Sequence, residues 1–486
     1  CGNSLIGPDY FTGRLIPNAE EFARVNAFDW QREFPDAMKA GSPRAQSSGG
    51  FDCIIGNPPY LKIEHIDPKD REWFAESYET FSRRYDTFGL FVEKSLSLLA
   101  TSGLSGMIIP STFLNNMSFA VLRKKLLRSS EIRRIVNLGG HVFEGVNNDT
   151  LILLFAKGVS RGSKTEIYHV EKYGAHLNSA RCLGSRDLAA CAEGPYFPFE
   201  LKVSEEGLGV LTKLNASGLK IGNAYECFQG FVTGGNEAYI IDNAAAKAEG
   251  IERGVCKPAV FGDEISRYGV PAPKQLVIYL TRESDLNAFP NAKRRLLPFK
   301  PLLERKREVL NGRQPWFSLH WPRVASNFER VPKILVQTIR NLSLKRRVVA
   351  TLDDKALYAD HTLNVLYPKD ARYDLAFVLG VLNSRLINWV FSNKFIDINI
   401  KGVYLLDVPL PQLDFKKTES KVDHDRMVSL VDSMLAMHKQ LASANGEAQR
   451  GAIQRQIEAT DREIDWLVYD LYGLTKEEIA IVEGQQ

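Results

Sequence analysis

The sequence lacks the patterns that mark metal-binding, disulfide-linked and membrane-spanning proteins. Its six cysteines are scattered, with no C-x-x-C pair and no histidine at ligand spacing beside them, which indicates neither a zinc site nor a disulfide framework. The histidines form no H-E-x-x-H pattern. No apolar run approaches the roughly eighteen residues that a membrane span needs, and no signal-peptide pattern appears. We therefore expect a soluble, cytoplasmic protein.

Two further absences limit the chemistry. No P-D…D/E-x-K arrangement of the nuclease type is convincing in the chain. The glycine-rich segment 230–235 lacks both the G-x-G-x-x-G register and a Lys-Ser/Thr ending, so it predicts a turn between strands in preference to a phosphate-binding loop. DNA cleavage and nucleotide binding therefore have no support in these residues.

What the chain does contain is a reactive loop after a buried strand. The apolar run of residues 51–56 predicts a strand, and Asn57-Pro58-Pro59-Tyr60 follows it directly. Open α/β sheets place their chemistry in loops at the carboxyl ends of their strands. An ordinary Pro-Pro turn is the alternative, but the strand, the asparagine and the tyrosine around this pair favour a functional site.

These residue types suit methyl transfer to a nitrogen that is conjugated with a π system, whose delocalised lone pair is poorly nucleophilic. Two hydrogen-bond acceptors on that amino group would localise the pair. The Asn57 side-chain oxygen is one acceptor and the Pro58 carbonyl is the other, because consecutive prolines have a fixed φ and no N–H with which to fold the loop back. Tyr60 offers an aromatic face for a flat substrate.

The segment Phe51–Tyr60 resembles motif IV of the N6-adenine DNA methyltransferases of bacterial restriction-modification systems, in their gamma class, the TaqI-like group. The resemblance continues in order over the first third of the chain. Later segments are similar to motifs V, VI and VIII of that family, namely Asp86–Lys94, Gly106–Ser111, and Val142–Gly145 followed by Asp149–Phe155.

The resemblance implies the roles of individual residues. The catalytic loop Asn57-Pro58-Pro59-Tyr60 would hold the amino group of a flipped adenine, and Phe143 would stack near the other ring face. Phe91 would line the adenine side of a pocket for S-adenosyl-L-methionine. Core packing is the alternative for Phe91 and Phe143. Base flipping is also expected on physical grounds, because an amino group paired inside a duplex cannot reach such a loop.

The family places an aromatic-and-glycine loop and an acidic residue for the cofactor upstream of motif IV, where this chain has no room for them. The opening Cys1-Gly2-Asn3-Ser4-Leu5 resembles motif III, in which relatives often carry Asp. Asn3 and Ser4 are therefore candidate cofactor contacts, since Asn3 can still hydrogen-bond an adenine edge. We expect an α/β fold with a partial doubly wound, Rossmann-like methyltransferase sheet that lacks its N-terminal cofactor-binding part and is a poor cofactor site by itself.

Basic side chains between residues 293 and 347 suit a face that binds double-stranded DNA. They can neutralise phosphates while the aromatic residues among them stack or wedge at bases. A merely solvated helix face would explain Arg305 to Arg307 equally well. The interleaved aromatics are Trp316, Phe317, Trp321 and Phe328. The candidate DNA contacts are Arg305, Arg307, Lys345, Arg346 and Arg347.

The chain divides into three predicted regions. Residues 1–158 form the catalytic domain, with strands at 51–56, 105–110, 132–138 and 149–156 and helices near 86–100 and 116–129. Residues 159–415 form a mixed α+β region that resembles the TaqI-like target-recognition domain, in phrases such as Asn383-Ser384-Arg385-Leu386. Residues 416–486 carry apolar positions at three- and four-residue spacing, which predict a helical hairpin with its break near Ala444-Asn445-Gly446.

The leading hypothesis is a site-specific adenine-N6 DNA methyltransferase of a bacterial restriction-modification or related phage-defence system. The resemblance implies S-adenosyl-L-methionine as the cofactor, double-stranded DNA as the partner, and a restriction nuclease, fused or separate, as a further candidate partner; we expect a monomer. Two alternatives stay open. One is a DNA-binding specificity fragment without catalysis, and the other is a protein glutamine N-methyltransferase, which uses a similar Asn-Pro-Pro-Tyr on a planar amide.

Overall fold

The computed structural model divides the chain into two compact units, Cys1–Glu205 and Glu206–Gln486. It describes residues 2–12, 19–38, 49–82, 85–139, 142, 149–160, 162–170, 180–188, 199, 205–339, 344, 346–369, 373–395 and 399–484.

The first unit is built on a six-stranded mixed sheet in the order β1-β2-β4-β3-β5-β6. Its strands are β1 (Phe51–Gly56), β2 (Leu99–Pro110), β3 (Ser130–Gly139), β4 (Thr150–Lys157), β5 (Thr165–His169) and β6 (Arg181–Arg186). The four strands expected from the sequence are confirmed, and β2 begins six residues earlier than expected. The sheet also includes β5 and β6, which follow residue 158. The three domain limits given above stay predictions.

Strand pairing makes this sheet mixed. β1 runs parallel to β2, whereas β4 pairs antiparallel with both β2 and β3. β4 follows β3 in the chain and enters the sheet between β3 and β2. Leu151, Leu153 and Phe155, which point to one face of β4 because side chains alternate along a strand, are fully buried. This face of β4 forms the centre of the core of the first unit.

β1, which carries the candidate loop, lies at the edge of the sheet. Within the described part of the chain it pairs with β2 and with no second strand. Ile55 is 86% exposed, and Cys53 on the same face is exposed too. A parallel strand of such apolar sequence is usually covered on both faces. β1 is therefore an open, apolar edge.

The helices of the first unit connect these strands. α5 joins the parallel strands β1 and β2, as a crossover helix does, and its residues Phe88, Leu90 and Val92 are fully buried. Single 3-10 turns lie at Pro8–Phe11, Ile63–His65, Ser111–Leu114 and Met117–Phe119. The α-helices are α1 (Ala19–Val25), α2 (Trp30–Glu33), α3 (Pro35–Met38), α4 (Pro68–Ser77), α5 (Phe88–Leu98) and α6 (Ala120–Ser129). The two helices expected near 86–100 and 116–129 are confirmed as α5 and α6.

The second unit contains two four-stranded sheets, in the orders β13-β9-β10-β8 and β12-β11-β14-β7. One hydrophobic core takes side chains from both, including Ala259, Val277 and Val365. The strands are β7 (Tyr225–Gln229), β8 (Ile240–Asp242), β9 (Cys256–Val260), β10 (Gln275–Ile278), β11 (Lys333–Gln337), β12 (Ala350–Asp353), β13 (Tyr358–Ala359) and β14 (Leu363–Pro368). This region is therefore mixed α+β, as expected.

Helices surround these sheets and end the chain. Short helices precede residue 330: α7 (Glu205–Asn215), α8 (Ile221–Ala224), α9 (Asn236–Tyr239), α10 (Asn243–Ala248), α11 (Pro290–Leu296), α12 (Lys300–Leu303), α13 (Arg307–Leu310) and α14 (Ala325–Glu329), with 3-10 turns at Leu286–Ala288 and Leu297–Phe299. The later helices are α15 (Leu375–Asn383), α16 (Arg385–Lys394), α17 (Gly402–Leu406), α18 (Thr418–Ser443), α19 (Glu447–Leu471) and α20 (Lys476–Glu483).

The predicted C-terminal hairpin is confirmed. α18 and α19 pack against each other and are separated by Ala444-Asn445-Gly446. Gly446 has a φ of 109°, a backbone conformation that glycine adopts without steric cost. The glycine therefore allows the sharp reversal between the two long helices.

No single described helix is both long and apolar enough to cross a bilayer, although α15 and α16, which meet at a bend of 58°, reach that length and composition together.

Candidate active site

The loop Asn57-Pro58-Pro59-Tyr60 leaves the sheet at the carboxyl end of β1. The last ladder position before it pairs Gly56 with Met107 of the parallel strand β2. Asn57 and Pro59 are exposed, Pro58 is buried and Tyr60 is partly buried. The Asn57 carboxamide is therefore accessible while Pro58 anchors the loop.

Thr87, at the start of α5, fixes the path of this loop. Its hydroxyl donates to the Pro59 carbonyl at 2.6 Å and accepts from the Leu61 backbone N–H at 3.3 Å. Its own backbone N–H donates to the Leu61 carbonyl at 2.9 Å. The sequence reasoning missed this residue. The available signal was a threonine just before an apolar helical run, which usually caps its own helix, but here the side chain caps no N–H of α5.

The Tyr60 hydroxyl points back to the loop and to β2. Its oxygen lies 3.1 Å from the Ile108 carbonyl oxygen and 3.3 Å from Asn57 Oδ1. A phenol has one proton, so it donates to one of these acceptors at a time. Burial raises the pKa of Tyr60, which keeps the hydroxyl a neutral donor. The Tyr60 ring packs edge-on against buried Phe88 at 6.2 Å between centroids, and this contact also escaped the sequence reasoning.

The loop contains the two oxygens that the sequence predicts as acceptors for an amino group. No described residue donates a hydrogen bond to the Pro58 carbonyl. Asn57 Oδ1 has two lone pairs and faces the Tyr60 hydroxyl with one of them. The role of these two oxygens as joint acceptors for an amino group stays a prediction.

Asn3 and Ser4, the candidate cofactor contacts, lie in a different segment of the first unit. Asn3 Oδ1 accepts from the Leu5 backbone N–H at 3.2 Å, and the Asn3 backbone N–H donates to Asn26 at 2.6 Å. The Ser4 carbonyl accepts from the indole of Trp30 at 3.1 Å. The amide nitrogen of Asn3 donates to no described residue, so it is the part of this side chain that a ligand could use.

Phe91, the third candidate cofactor contact, lies on α5 and is partly buried. It follows Phe88 by about one helical turn, and Phe88 contacts Tyr60. α5 therefore links the Phe91 ring to the loop through a rigid element. Phe143, predicted to stack on the target base, lies outside the described residues, so its role stays a prediction.

The candidate DNA contacts separate into different groups. Arg305 and Arg307 are exposed, and neither has an ion-pair or hydrogen-bond partner for its side chain among the described residues. They lie in the turn before α13 and at its first residue. Lys345 lies outside the described residues. The first two arginines are therefore placed where a phosphate could reach them.

The prediction that Arg347 contacts DNA is wrong for this structure. The Arg347 side chain is 1% exposed and donates to the Phe395 carbonyl at 3.3 Å. Arg346 is likewise engaged inside the unit, because its guanidinium donates to Asn383 and to Asp461, each at 2.9 Å. The basic segment of the sequence therefore includes arginine side chains that bind carbonyl and carboxylate groups of the protein itself.

The first unit also contains a cavity that the loop residues do not line. A cavity of about 370 Å³ in the first unit is lined by residues such as Asp9, Trp73 and Lys94, and includes none of the loop residues. Among the residues that the structure describes, no group of three His, Cys, Asp or Glu side chains is placed to hold a metal ion.

Family comparisons identify two domains. Residues 9–143 match the Eco57I restriction-modification methylase, and residues 257–410 match the TaqI-like C-terminal specificity domain. The first match contains the loop and Phe91, and the second contains Arg305, Arg307 and Arg347.

Similar proteins are restriction-modification enzymes. The chain is 22% identical over 474 residues to the type II restriction enzyme and methyltransferase RM.Eco57I of Escherichia coli, an alignment that covers 87% of this chain and 46% of that protein. It is 25% identical over 476 residues to the type II methyltransferase M.PaeR7I of Pseudomonas aeruginosa, covering 90% and 73%. The chain thus spans about half the length of RM.Eco57I.

A solved structure shares the fold. The type IIL restriction-modification enzyme MmeI, solved in complex with DNA, aligns with a TM-score of 0.60 at 12% identity, covering 89% of this chain and 56% of that one. At this identity the similarity concerns the fold alone.

Proposed function

We propose that the chain is part of a restriction-modification methyltransferase, as the two family matches and the similar proteins support, and that it serves in methylating the N6 amino group of adenine at specific sites in DNA. The methyl donor that we propose is S-adenosyl-L-methionine. Because the chain spans 46% of RM.Eco57I, the proposal concerns the activity of the protein of which these residues form the catalytic and specificity parts.

One observation carries the proposal: Asn57 is exposed, and no described residue donates a hydrogen bond to the carbonyl of the adjacent Pro58. The amino group of adenine has two N–H protons and a lone pair that is delocalised into the ring. Hydrogen bonds from those two protons to Asn57 Oδ1 and the Pro58 oxygen would draw the lone pair out of conjugation and raise its nucleophilicity. Thr87 supports this geometry by holding the adjacent Pro59 carbonyl.

Bound S-adenosyl-L-methionine supplies an electrophilic methyl group. Asn57 and Pro58 would orient the amino nitrogen so that its lone pair forms the new N–C bond while the bond between the methyl carbon and the donor sulfur breaks, which leaves a neutral thioether. One amino proton, held on the side of the Asn57 oxygen, is released to water after the nitrogen has become cationic. No residue in the loop has to act as a strong base, since that cationic nitrogen is acidic.

Tyr60 positions the flat substrate. Its hydroxyl stays protonated because burial raises its pKa, and the hydrogen bond to the Ile108 carbonyl fixes the ring relative to β2. An adenine flipped out of a duplex would stack on this ring. Phe143 is the proposed partner at the other face.

Asn3, Ser4 and Phe91 are the proposed cofactor contacts of this chain. The amide nitrogen of Asn3, which donates to no described residue, and the partly buried ring of Phe91 fit a ligand that has a heteroaromatic group with ring nitrogens. Arg305 and Arg307 are the proposed phosphate contacts, because both are exposed and have no partner among the described side chains.

The two alternatives lead to different outcomes. A protein glutamine methyltransferase has no need of the TaqI-like specificity domain over residues 257–410, which disfavours it. A specificity fragment without catalysis would bind DNA and transfer no methyl group.

The test is mapping of N6-methyladenine by single-molecule sequencing in DNA from methylation-free cells that express the protein in its full-length context. We expect methylated adenines in one short motif. Asn57→Ala should abolish them, since alanine has no acceptor for the amino group. Asn215→Ala, at an exposed asparagine on α7, is the matched control and should leave them unchanged.

Methylation that survives in Asn57→Ala at the wild-type level would contradict the proposed role of this loop. A folded, DNA-binding wild-type protein with no methylated base would favour the specificity fragment over the enzyme.

A further inference from the structure

Trp321 is the aromatic residue that the structure exposes within the basic segment of the second unit. Four aromatics are interleaved with the basic residues there. Phe328 is fully buried, and Trp316 and Phe317 are partly buried against the same core. The Trp321 side chain is 46% exposed. A large aromatic surface left in water has a hydrophobic cost, so its placement calls for a function.

The backbone around Trp321 is held rigidly although the indole is not buried. Trp321 and Val232 exchange two backbone hydrogen bonds, at 2.9 and 3.0 Å. The Tyr279 hydroxyl lies within hydrogen-bond distance of the Pro322 and Arg323 carbonyls, at 2.7 and 2.9 Å. The indole is therefore presented from a fixed position, which lowers the entropy lost when it binds a ligand.

The neighbours of the indole are cationic and aromatic. The Arg323 guanidinium carbon lies 5.7 Å from the Trp321 ring centroid, and its Nε donates to the Gly230 carbonyl at 3.2 Å. The His320 ring lies 4.7 Å from the indole at an interplanar angle of 38°. A positive charge next to an exposed aromatic suits a ligand that joins π faces to phosphates.

Contacts also connect Trp321 to the exposed arginines. His320, the preceding residue, pairs with Glu308 at 3.0 Å. Gly234 packs so tightly between His320 and Lys306 that a Cβ there would lie 2.9 Å from each. Arg305 and Arg307 flank Lys306 in the chain. These arginines, Trp321 and Arg323 therefore belong to one region, which we call the Trp321 surface.

We propose that Trp321 contacts nucleobases of bound DNA, by stacking or by insertion at a base step, while Arg305, Arg307 and Arg323 contact phosphates. This inference rests on the proposed function, which supplies DNA as the ligand. Trp321 is thus a binding residue of the specificity domain. Its contribution is apolar, so it strengthens binding without adding to the number of counterions released.

The experiment measures binding of the full chain to a short fluorescein-labelled duplex by anisotropy at several salt concentrations. Trp321→Ala should weaken binding about tenfold, within the range reported for loss of one base-aromatic contact, and should leave the slope of log K against log salt unchanged. Trp321→Phe should retain most of the affinity. Arg305→Ala should instead reduce the slope by about 0.9, the value expected for one phosphate contact.

Trp466→Ala is the matched control, because Trp466 on α19 is 59% exposed and lies outside the Trp321 surface. Equal affinities for the wild-type protein, Trp321→Ala and Trp466→Ala would overturn the inference, and a changed oligomeric state of Trp321→Ala would then assign the residue to a protein contact. If Trp321→Ala loses affinity while the wild type methylates no DNA, the inference stands and the proposed enzymatic function fails. A wild-type chain with no affinity for DNA overturns both.

Discussion

The Thr87 hydroxyl forms hydrogen bonds with the candidate loop and caps no N–H group of its own helix, α5. It is 3% exposed, donates to Pro59 and accepts from Leu61. A hydroxyl that serves as donor and acceptor at once orients both groups. The residue therefore fixes the path of the loop between Pro59 and Leu61.

Thr87→Val should lower methylation in the full-length protein, because valine has nearly the same shape and neither hydrogen bond. We expect kcat to fall about tenfold or more, as for groups displaced from a productive geometry, while KM for DNA changes little. The free energy of unfolding should fall by about 1 kcal/mol, since the partly buried Leu61 backbone N–H loses its acceptor. Steady-state kinetics and a denaturation curve measure the two effects.

Thr87→Ser is the control for this prediction, since it keeps the hydroxyl and should restore most of kcat. If valine and serine reduce kcat equally, the hydrogen bonds are not what positions the loop. A rise in KM for DNA with unchanged kcat would assign Thr87 to substrate binding instead.

At the scale of elements, an ionic cluster fastens the C-terminal hairpin to the rest of the second unit. Asp461 and Asp465 lie one turn apart on α19. Arg267 and Arg346 pair with Asp461, and Arg385, the first residue of α16, pairs with Asp465 at 3.1 Å. Burial raises the pKa of Asp465 to about 6, although the Arg385 backbone N–H and the Arg346 charge oppose this shift. Burial acts in the same direction on Asp461, but Arg267 holds the pKa of Asp461 below its ordinary value.

The raised pKa of Asp465 predicts a pH dependence of stability. Between pH about 4, the ordinary pKa of aspartate, and pH about 6, the folded chain keeps a proton that the unfolded chain has released. The contribution of this group is therefore present below pH 4 and is lost as the pH rises through 6. This contribution amounts to about 3 kcal/mol, because the pKa of Asp465 in the folded chain lies roughly two pH units above its value in the unfolded chain. Asp465→Asn removes this contribution, so the wild-type urea midpoint should fall relative to that of the variant as the pH rises.

Asp461→Asn is the comparison variant. The pKa of Asp461 in the wild-type chain is lowered, so this carboxylate stays ionised between pH 4 and pH 6. Removing it leaves Arg267 and Arg346 without their carboxylate, which should cost about 3–5 kcal/mol at every pH in the range. Wild-type and Asp465→Asn midpoints that run parallel from pH 4 to 7 would contradict the assignment of the titration to Asp465.

The sequence predicted elements whose signals are local. β1 was predictable from a short apolar run, the hairpin from the spacing of residues such as Ile453, Ile457 and Ile464 together with Gly446, and the loop from its unusual residue types. The entry of β4 between β3 and β2 was not, because antiparallel pairing with β2 joins distant parts of the chain. Long-range pairing depends on the whole packed sheet and has no local pattern.

Long-range contacts also explain why the sequence did not predict the role of Thr87 at the site or the burial of Arg347 in the basic segment. The partner of Thr87 lies 28 residues away, and the carbonyl that binds Arg347 lies 48 residues away. Asp461 appears in the sequence as a solvent-facing charge on an amphipathic helix, yet it binds Arg267 across 194 residues. Charge and residue type were visible, whereas burial follows from which segments meet.

At the scale of the whole molecule, the two units differ in how completely the described residues cover their sheets. In the first unit, β1 is an edge with Ile55 86% exposed. In the second, one core includes residues from both sheets and reaches from Phe231 to Val365. The candidate catalytic loop lies in the first unit, and the Trp321 surface lies entirely in the second. The proposed catalytic residues and the proposed DNA-affinity residues therefore lie in different units.

This division predicts that residues 206–486 fold and bind DNA when produced alone. The segment contains its own two sheets, its core and the ionic cluster of α19, so a cooperative thermal transition is expected by circular dichroism. Its affinity for a short duplex should show the same salt slope as that of the full chain, because Arg305, Arg307 and Arg323 are all present. It should transfer no methyl group, since Asn57 and Pro58 are absent. Residues 1–205 alone should bind the duplex far more weakly.

A folded 206–486 segment with no affinity for the duplex, beside a full chain that binds it, would show that the first unit supplies the DNA contacts. The phosphate-binding role would then not belong to the Trp321 surface.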